Sequence, residues 1–598
     1  IHQMNRNTEL HFKNTPQINV RRSKFERSHN HKTSFNVGDI IPLYVDSDIL
    51  PGDTVQMDMA SLVRMATPIY PIMDNLFMDT YWFFVPHRLV WDNWRKFWGE
   101  NDDPWIQQTE YEIPQITAPS GGWSEGTIAD YMGVPTKVGG FSINALPFRA
   151  YCKCWNDFFR DENLKSCAHI YTDETTRQGT NSGDYVLNAE KGALPLKAAK
   201  FHDYFTSALP SPQKGPAVMI PSGTSAPVSG SITTTTSTTI GGQGKKIVYA
   251  STTDNTLPSD RAALKFQGDN TYSNGRWYAQ GFKGDGTTNY KMGVINNDTF
   301  VPSSSGEWQG GSPLNLQANV TGLTATSTST STMQNVIADL SQATAASVNQ
   351  LRTAFAIQKY YENAGLHGTR YIEYVRSVFG VTSSDARFQR AEYLGGKRTP
   401  INIDQVLQTS ATDQTSPQGN TAAFSCTIDK SGMFTKSFEE HGTLLCLAVI
   451  RTEHTYQQGL NRMWSRKKWT DFYNPFFAHL GEQAILNKEI YVQNNATKND
   501  EAFGYQEAWA DYRYKPSYVS GYMRSNASGS LDVWHFADKY NALPILGSTW
   551  IDEPYENVDR TIAVTSQLTH QFIGDFYFKT FYTRPMPVYS VPGLIDHV

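Results

Sequence analysis

Hydrophobic and polar residues alternate over several short runs of the chain, and this alternation is typical of half-buried β-strands. After a Pro-Gly-Asp turn signal, Val55, Met57 and Met59 alternate with polar neighbours. Three further runs predict strands: "DTYWFFV" at 79–85, "TLLCLAVI" at 443–450 and "GDFYFKTFYT" at 574–583. Because long Pro- and Gly-containing connections separate the runs, the pattern favours a β-sandwich or jelly roll with large loops.

A helical period of hydrophobic residues predicts two helices. The run 146–164 predicts an amphipathic helix. Its stripe consists of Phe148, Tyr151, Cys152, Trp155 and Phe159. A second helix is predicted from Ser347 to Ala364, with Ser347 and Gln350 as a capping box and Gly365 as its end. The chain is therefore predicted to be β-rich with few helices.

Two stretches interrupt this pattern because they contain no charged residue, namely 215–244 and 308–338. Both are rich in Ser and Thr, and neither has enough large apolar side chains to form a core alone. Between them lies an aromatic group made of Tyr272, Trp277, Tyr278, Phe282 and Tyr290. We interpret the whole as an inserted subdomain with a stalk and a head. The alternative is a disordered loop.

The composition narrows the class of protein. A chain of 598 residues with 39% hydrophobic and 18% charged residues can bury a large core, and it does not have the composition of a helical bundle. Its net charge of -5 gives no global attraction to nucleic acid, so such binding requires a local patch. Five cysteines favour a reducing compartment. We expect neither a signal peptide nor a membrane span, since no run of suitable apolar length occurs.

The sequence contains no complete set of enzyme motifs. HExxH does not occur, and the S-x-x-K match at 211–214 has no partner motif. The best metal candidate comprises Cys152, Cys154, Cys167 and His169. In a helix, residues two apart point about 200° apart, so Cys152 and Cys154 do not face one ion. We therefore expect a core Cys152, an ordinary thiol at Cys154, and no catalytic residue, metal or cofactor.

Two basic segments are candidates for binding nucleic acid. The first 32 residues are basic and include Arg21 and Arg22, which indicates either a solvated tail or an arm that lies on a polyanion or on a neighbouring subunit. The segment "NRMWSRKKWTDFYNPFF" at 461–477 combines cations with aromatic rings, as in proteins that hold single-stranded nucleic acid. Its candidate contacts are Arg462, Trp464, Arg466, Lys467, Lys468 and Trp469. A subunit interface is the alternative, because Arg and Trp are also enriched there.

Aromatic residues are most concentrated at 77–98, on both sides of Pro86. Before Pro86, we predict a strand whose alternate rings, Trp82 and Phe84, fill the core. After it, tryptophans mix with charged residues, as at subunit contacts. The interface candidates are Trp91, Trp94, Arg95 and Trp98.

Several long blocks of the sequence resemble one protein family. They include "ATPIYPIMDNLFMDTYWFFVPHRLVWDNW", "GLHGTRYIEYVRSVFGVTSSDARFQRAEYLGG" and the ending "FYTRPMPVYSVPGLIDHV". These blocks are similar to the major capsid proteins of small single-stranded DNA bacteriophages, in the gokushovirus branch of the Microviridae. The resemblance covers both ends and most of the middle, and it fails across about 215–340.

The resemblance implies an eight-stranded antiparallel jelly roll with long loop insertions. It implies a basic arm at 1–37, a jelly-roll domain at 38–214 and 341–598, and a variable surface protrusion at 215–340. The subunits would form a T=1 icosahedral shell of about 60 copies around circular single-stranded DNA. The protrusions would stand at the threefold axes and contact the host, and the candidate receptor contacts are Tyr272, Trp277, Tyr278, Phe282 and Tyr290.

The same resemblance implies the partners and the location of the protein. Besides itself and the genomic DNA, the partners would be an internal scaffolding protein, a DNA pilot protein, a small DNA-binding protein and a host cell-surface receptor. Assembly would take place in the bacterial cytoplasm, and the protein would end in the virion. From the residues alone, a carbohydrate-binding β-sandwich and a soluble single-stranded DNA-binding protein remain alternatives.

Overall fold

The computed structural model describes residues 21–100, 110–216, 218, 348–410, 412 and 417–589, together with the backbone of short strands between 228 and 338. The described chain is mostly β-sheet with few helices. It divides into two compact units. One comprises 1–216 and 359–598, and the other comprises 217–358.

The strands are numbered in chain order. Before residue 217 they are β1 (Ser23–Glu26), β2 (His29–Phe35), β3 (Ile41–Ile49), β4 (Thr54–Met65), β5 (Leu76–Pro86), β6 (Gln115–Thr117), β7 (Ser142–Asn144) and β8 (Arg177–Gln178). Within 217–358 they are β9 (Val228–Ser229), β10 (Lys246–Ala250), β11 (Ala263–Gln267), β12 (Gly275–Ala279), β13 (Gly293–Asn296), β14 (Thr299–Pro302) and β15 (Ile337–Ala338). After it they are β16 (Glu392–Pro400), β17 (Ile403–Leu407), β18 (Thr421–Ser425), β19 (Thr427–Ser437), β20 (Gly442–Thr452), β21 (Thr455–Tyr456), β22 (Glu482–Leu486), β23 (Ala502–Glu507), β24 (Ser517–Tyr518) and β25 (Phe572–Arg584).

The helices are short, apart from α3, α5 and α6. In order they are α1 (Trp94–Phe97), α2 (Ile128–Tyr131), α3 (Leu146–Cys154), α4 (Tyr185–Asn188), α5 (Val348–His367), α6 (Tyr371–Phe379), α7 (Asn487–Ile490), α8 (Ala496–Asn499), α9 (Ala510–Arg513) and α10 (Glu556–Asp559).

Two antiparallel sheets contain the long strands. The β25 sheet has the order β1-β25-β4-β19, with β2 also paired to β25, and the β20 sheet has the order β16-β5-β20-β3. Consecutive long strands change sheet: β2 and β4 belong to the β25 sheet, whereas β3 and β5 belong to the β20 sheet. The alternation predicted for β4 is confirmed, because Val55, Met57 and Met59 are buried between partly exposed neighbours.

The main core lies between these two sheets, whose inner side chains form one buried cluster. Phe578 of the β25 sheet meets Tyr44 and Trp82 of the β20 sheet at ring-centroid distances of 5.2 and 5.9 Å. Phe84 is also in this cluster. The prediction that Trp82 and Phe84 fill the core is therefore confirmed.

A second core covers the opposite face of the β20 sheet. Phe83, Val85, Leu445, Leu447 and Val449 point away from the first core and pack against the segment that follows β5. β5 and β20 are thus buried on both faces, and their near-continuous apolar sequences are typical of such strands. The strand predicted at 443–450 is confirmed as β20, which lies between β5 and β3.

Both predicted helices are present, with changed limits. α3 ends at Cys154 and continues as a π-helix over Trp155–Phe159, which keeps the predicted stripe against the second core. α5 does not end at Gly365, because it continues to His367. A Cβ at Gly365 would lie 3.1 Å from Cδ1 of Leu209, so this glycine permits close packing inside the helix. The predicted cap residue Ser347 lies outside the described residues.

The unit 217–358 contains its own sheet. β10 to β14 form an antiparallel meander in sequence order, and β9 pairs with β15. β9 precedes the meander in the sequence and β15 follows it, so the pairing of these two strands joins the start and the end of the inserted segment. Of the aromatic group predicted here, Trp277 and Tyr278 belong to β12. Tyr272, Phe282 and Tyr290 lie outside the described residues.

Candidate functional site

The aromatic and basic segment at 461–477 consists of three 3₁₀ turns: Arg462–Ser465, Trp469–Asp471 and Pro475–Phe477. The Asn461 side chain accepts a hydrogen bond from the Met463 backbone N–H at 3.0 Å and caps the first turn. Asp471 accepts from the backbone N–H groups of Lys467 and Lys468, each at 2.8 Å. Short capped turns leave most side chains of the segment pointing outward.

Two of its cations are used within the subunit. Arg462 donates to the carbonyl oxygen of Ala484 at 2.9 Å and lies 3.4 Å from Glu489. Arg466 pairs with Asp511, and its guanidinium lies 4.3 Å from the ring centroid of Tyr512. Both arginines therefore attach the segment to the rest of the fold, and this internal role was not predicted.

The remaining side chains form an exposed surface that we call the 463–480 patch. Its largest members are Trp464, Trp469 and Phe476, which are 71%, 72% and 93% exposed. The patch also contains Met463, Lys467, Lys468, Phe472, Tyr473 and Leu480, all exposed. Exposed aromatic surface of this size is typical of sites that contact another molecule.

The second basic candidate, the N-terminal arm, is described only from residue 21 onward. Arg21 and Arg22 are exposed, and they directly precede β1. The described end of the arm is therefore attached to the edge of the β25 sheet through the pairing of β1 with β25.

The four interface candidates separate into different environments. Trp91 is fully buried in the second core, so its predicted place at a subunit contact is wrong. The chain turns back after Pro86, where the backbone N–H of Trp91 donates to the carbonyl oxygen of His87 at 3.1 Å. Trp94 is half-buried, with its ring edge-on to that of His87. Only Arg95 and Trp98 are exposed, and Trp98 stacks on His441 at 4.6 Å.

The cysteine and histidine candidates for a metal are also separated. Cys152 and Cys154 are both fully buried in α3, and burial raises the pKa of each thiol well above its ordinary value. Cys154 is thus a core residue like Cys152, which corrects the expectation of an ordinary thiol. Cys167 and His169 are exposed. Within the described residues, no cluster of three or more His, Cys, Asp or Glu side chains is arranged to hold a metal.

A buried ionic cluster was missed by the sequence analysis. His454 lies 3.0 Å from Asp538 and 3.1 Å from Glu553, and Lys200 lies 3.2 Å from the other Asp538 oxygen. Burial lowers the pKa of His454, but the two carboxylates outweigh this effect and raise it to about 10. The cluster connects loops that are up to 353 positions apart (553 minus 200), so no local sequence pattern indicates it.

Two packed β-sheets together with a large exposed aromatic surface are typical of proteins that associate with other molecules. Comparison with known proteins specifies the class. The chain belongs to the capsid protein (F protein) family, whose model matches residues 14–594. This match confirms the resemblance drawn from the sequence.

Three relatives extend over nearly the whole chain. Capsid protein VP1 of Spiroplasma virus 4 is 41% identical over 579 residues, which cover 96% of each chain. Capsid protein VP1 of Bdellovibrio phage phiMH2K is 42% identical over 591 residues, covering 98% of each chain. Capsid protein VP1 of Chlamydia phage 1 is 39% identical over 615 residues, covering 98% of this chain and 97% of that relative.

These relationships establish the role of the protein in the virion. It is a structural capsid component and not an enzyme, as predicted. None of the helices in the described part of the chain combines the length and hydropathy of a membrane span.

Proposed function

We infer that this capsid protein is an eight-stranded jelly-roll subunit of a T=1 icosahedral shell. The strand order of the two sheets carries this proposal. If the eight strands β2, β3, β4, β5, β16, β19, β20 and β25 are numbered in chain order, one sheet reads 1-8-3-6 and the other reads 5-4-7-2. An eight-stranded, two-sheet arrangement of this kind fits a double Greek-key jelly roll, an architecture used for viral shells.

The edge strands of the two sheets are already in contact with other strands of the same subunit. We therefore propose that subunits associate through loops and sheet faces and not through strand pairing. β16 and β19 are edge strands of different sheets, and they are connected by the ion pairs Lys397–Asp429 at 2.6 Å and Lys436–Glu392 at 3.4 Å. Next to β3, the other edge of the β20 sheet, His31 of β2 hydrogen-bonds the Leu43 carbonyl oxygen at 2.8 Å. Edges occupied in this way do not favour strand addition from another copy.

The 463–480 patch is our main candidate for a contact between subunits. Trp469 and Phe476 have the size and exposure of interface anchors, and the half-buried Trp94 and exposed Trp98 form a smaller second candidate. Repetition of modest contacts over about 60 copies stabilises a closed shell without a very strong single interface. The alternative role of Lys467 and Lys468 in DNA binding stays a prediction.

The other parts of the proposal concern the genome, the partners and the host. The shell encloses circular single-stranded DNA, and the basic arm with Arg21 and Arg22 contributes to its neutralisation. A scaffolding protein, a DNA pilot protein and a small DNA-binding protein complete the virion. The unit 217–358 forms a threefold protrusion used in host attachment, and its separate sheet supports that proposal.

Particle mass tests the shell directly. A shell of about 60 copies of a 67.2 kDa subunit has a protein mass of about 4 MDa. We expect uniform spherical particles of this mass by mass photometry, and a three-dimensional reconstruction with one subunit per icosahedral asymmetric unit. A protein that stays monomeric with scaffold and genome present, or that forms only open sheets or filaments, contradicts the proposal.

A further inference from the structure

Among the residues that the structure describes, no hydrophobic core covers the outer face of the β25 sheet. Along β25, Phe572, Phe576 and Phe578 point into the main core and are fully buried. The residues between them point outward, and Ile573 and Tyr577 are 61% and 41% exposed. The outward residues of β4, such as Gln56 and Arg64, are exposed as well. This outward side, which we call the β25 face, is exposed to solvent in the described part of the chain.

Rings and a cation alternate along the centre of this face. Tyr577, Lys579 and Phe581 are successive outward residues of β25, so neighbours are about 6.8 Å apart along the strand. The ammonium of Lys579 lies 5.6 Å from the Phe581 ring centroid. Lys24 of β1 contacts the same ring, with its ammonium 4.2 Å from the centroid. Tyr577, Lys579 and Phe581 therefore form a row of ring, cation and ring along β25.

Further cations surround this line. Lys430 of β19 is in register with Ala60 of β4, which is in register with Tyr577, so Lys430 lies about 9.6 Å from Tyr577 across the strands. Lys24, Lys430 and Lys579 form no ion pair within the described residues.

Carboxylates on the face are fewer than cations. Three acids face outward, Glu26, Asp58 and Asp575, and Asp575 is already paired with Lys32 at 3.1 Å. Five cations face outward on the same sheet: Lys24, Lys32, Arg64, Lys430 and Lys579. The exposed Arg21 and Arg22 precede β1 at the edge of the face, so its charge is positive.

We propose that the β25 face binds single-stranded DNA. Lys24, Lys430 and Lys579 contact phosphates, and the rings of Tyr577 and Phe581 stack with bases. Cations together with accessible rings hold single strands without reading their sequence, which suits a surface that packages a whole genome. The inference rests on the proposed shell and deepens it, because it names a surface by which the subunit holds the packaged genome. It assigns DNA to a different surface from the 463–480 patch.

A charge-removing variant tests the phosphate contacts. Purified subunits with Lys24→Gln, Lys430→Gln and Lys579→Gln are titrated with a fluorescent oligothymidylate at several salt concentrations. The matched control carries Lys498→Gln, Lys515→Gln and Lys539→Gln, three exposed lysines elsewhere on the subunit. We expect the slope of log affinity against log salt to become shallower by about 2 in the first variant only. Equal slopes in the two variants overturn the proposal.

A ring variant tests stacking separately. Tyr577→Thr with Phe581→Thr removes both rings and keeps residues that favour strands. We expect affinity for the same oligonucleotide to fall about tenfold or more at each salt concentration, with an unchanged slope. Unchanged affinity contradicts the stacking contacts.

A charge-retaining variant, Lys24→Arg with Lys430→Arg and Lys579→Arg, is the control for misfolding. It should bind the oligonucleotide as the unmodified protein does. If it loses binding to the same extent as the Gln variant, charge is not the cause and the inference fails.

Particles separate this inference from the proposed shell. Gln-variant particles should form and contain less DNA per capsid, measured as the ratio of absorbance at 260 and 280 nm after nuclease treatment. If the Gln variant forms normal particles with a normal DNA content, DNA binding by the β25 face is refuted, whereas the proposed shell is not affected. Poor assembly with unchanged oligonucleotide binding identifies the face as a contact between copies. If the unmodified chain forms no particles, the proposed shell is contradicted. The oligonucleotide titrations still test whether the β25 face binds DNA.

Discussion

Two tryptophans seven positions apart illustrate how strongly single residues differ in this protein. Trp91 contacts the second core and is fully buried, whereas Trp98 is 60% exposed and stacks on His441. Their local sequences are similar mixtures of aromatic and charged residues. Their environments therefore lead to opposite expectations for mutation.

Replacement of Trp91 by Ala should destabilise the subunit by about 3–5 kcal/mol, because it leaves a large cavity in a packed core. Trp98→Ala serves as the matched control and should change the free energy of unfolding by less than about 0.5 kcal/mol. Urea denaturation of the isolated subunits measures both effects. Equal stability of the two variants would show that Trp91 is not packed as described.

The buried cluster around His454 gives a prediction for pH. The folded-state pKa of His454, about 10, lies above the unfolded value of about 6.5. The folded state therefore binds the extra proton, and this stabilisation is complete below about pH 6.5 and lost as the pH rises toward about 10. His454→Gln should remove that pH dependence and destabilise the subunit by about 3–5 kcal/mol at pH 6, since two buried carboxylates lose a cation.

Urea midpoints of the unmodified protein and of His454→Gln, taken between pH 6 and 10, provide the measurement. The exposed His202, changed to Gln, is the control and should behave like the unmodified protein. If the His454 variant keeps the same decline in stability with rising pH, the charge on His454 is not its cause.

At the scale of elements, the long strands form the buried core, whereas the turns of 461–477 expose their side chains to solvent. β5 and β20 are buried on both faces, so their substitution affects folding first. The 3₁₀ turns of 461–477 are held by Arg462, Arg466 and the caps, while their rings remain outside. The proposed interface thus lies on turns whose backbone is held by hydrogen bonds and ion pairs within the subunit.

Changing Trp469 and Phe476 to Ser should therefore leave the subunit folded and prevent normal assembly. We expect its thermal midpoint to stay close to that of the unmodified protein, and the concentration needed for assembly to rise at least about tenfold, as for lost interface anchors. Val138→Ser with Leu187→Ser is the control, because both residues are about half exposed and lie outside the patch. Light scattering during assembly measures the difference, and similar curves for both variants would argue against the patch.

At the scale of the whole molecule, the unit 217–358 is compact by itself and interrupts the other unit in the sequence. Replacing about 222–331 by a short linker should preserve particle formation and reduce adsorption to host cells. Particle yield by sedimentation and adsorption of labelled particles are the two readouts. Loss of particles would show that the insertion is needed for the shell, and normal adsorption would exclude its role in attachment.

The sequence by itself determined the features that depend on short-range periodicity. The strands β4 and β20, the helix α3 and the family were predictable, because alternation and helical spacing are local properties and the matching blocks are long. Only the tertiary structure decided that Trp91 is buried, that Arg462 and Arg466 are paired internally, and that His454 joins Asp538 and Glu553. These outcomes depend on which segments that are distant in the sequence come into contact in the folded chain. Those contacts determine side-chain burial and charge pairing, and the residue types alone do not specify the contacts.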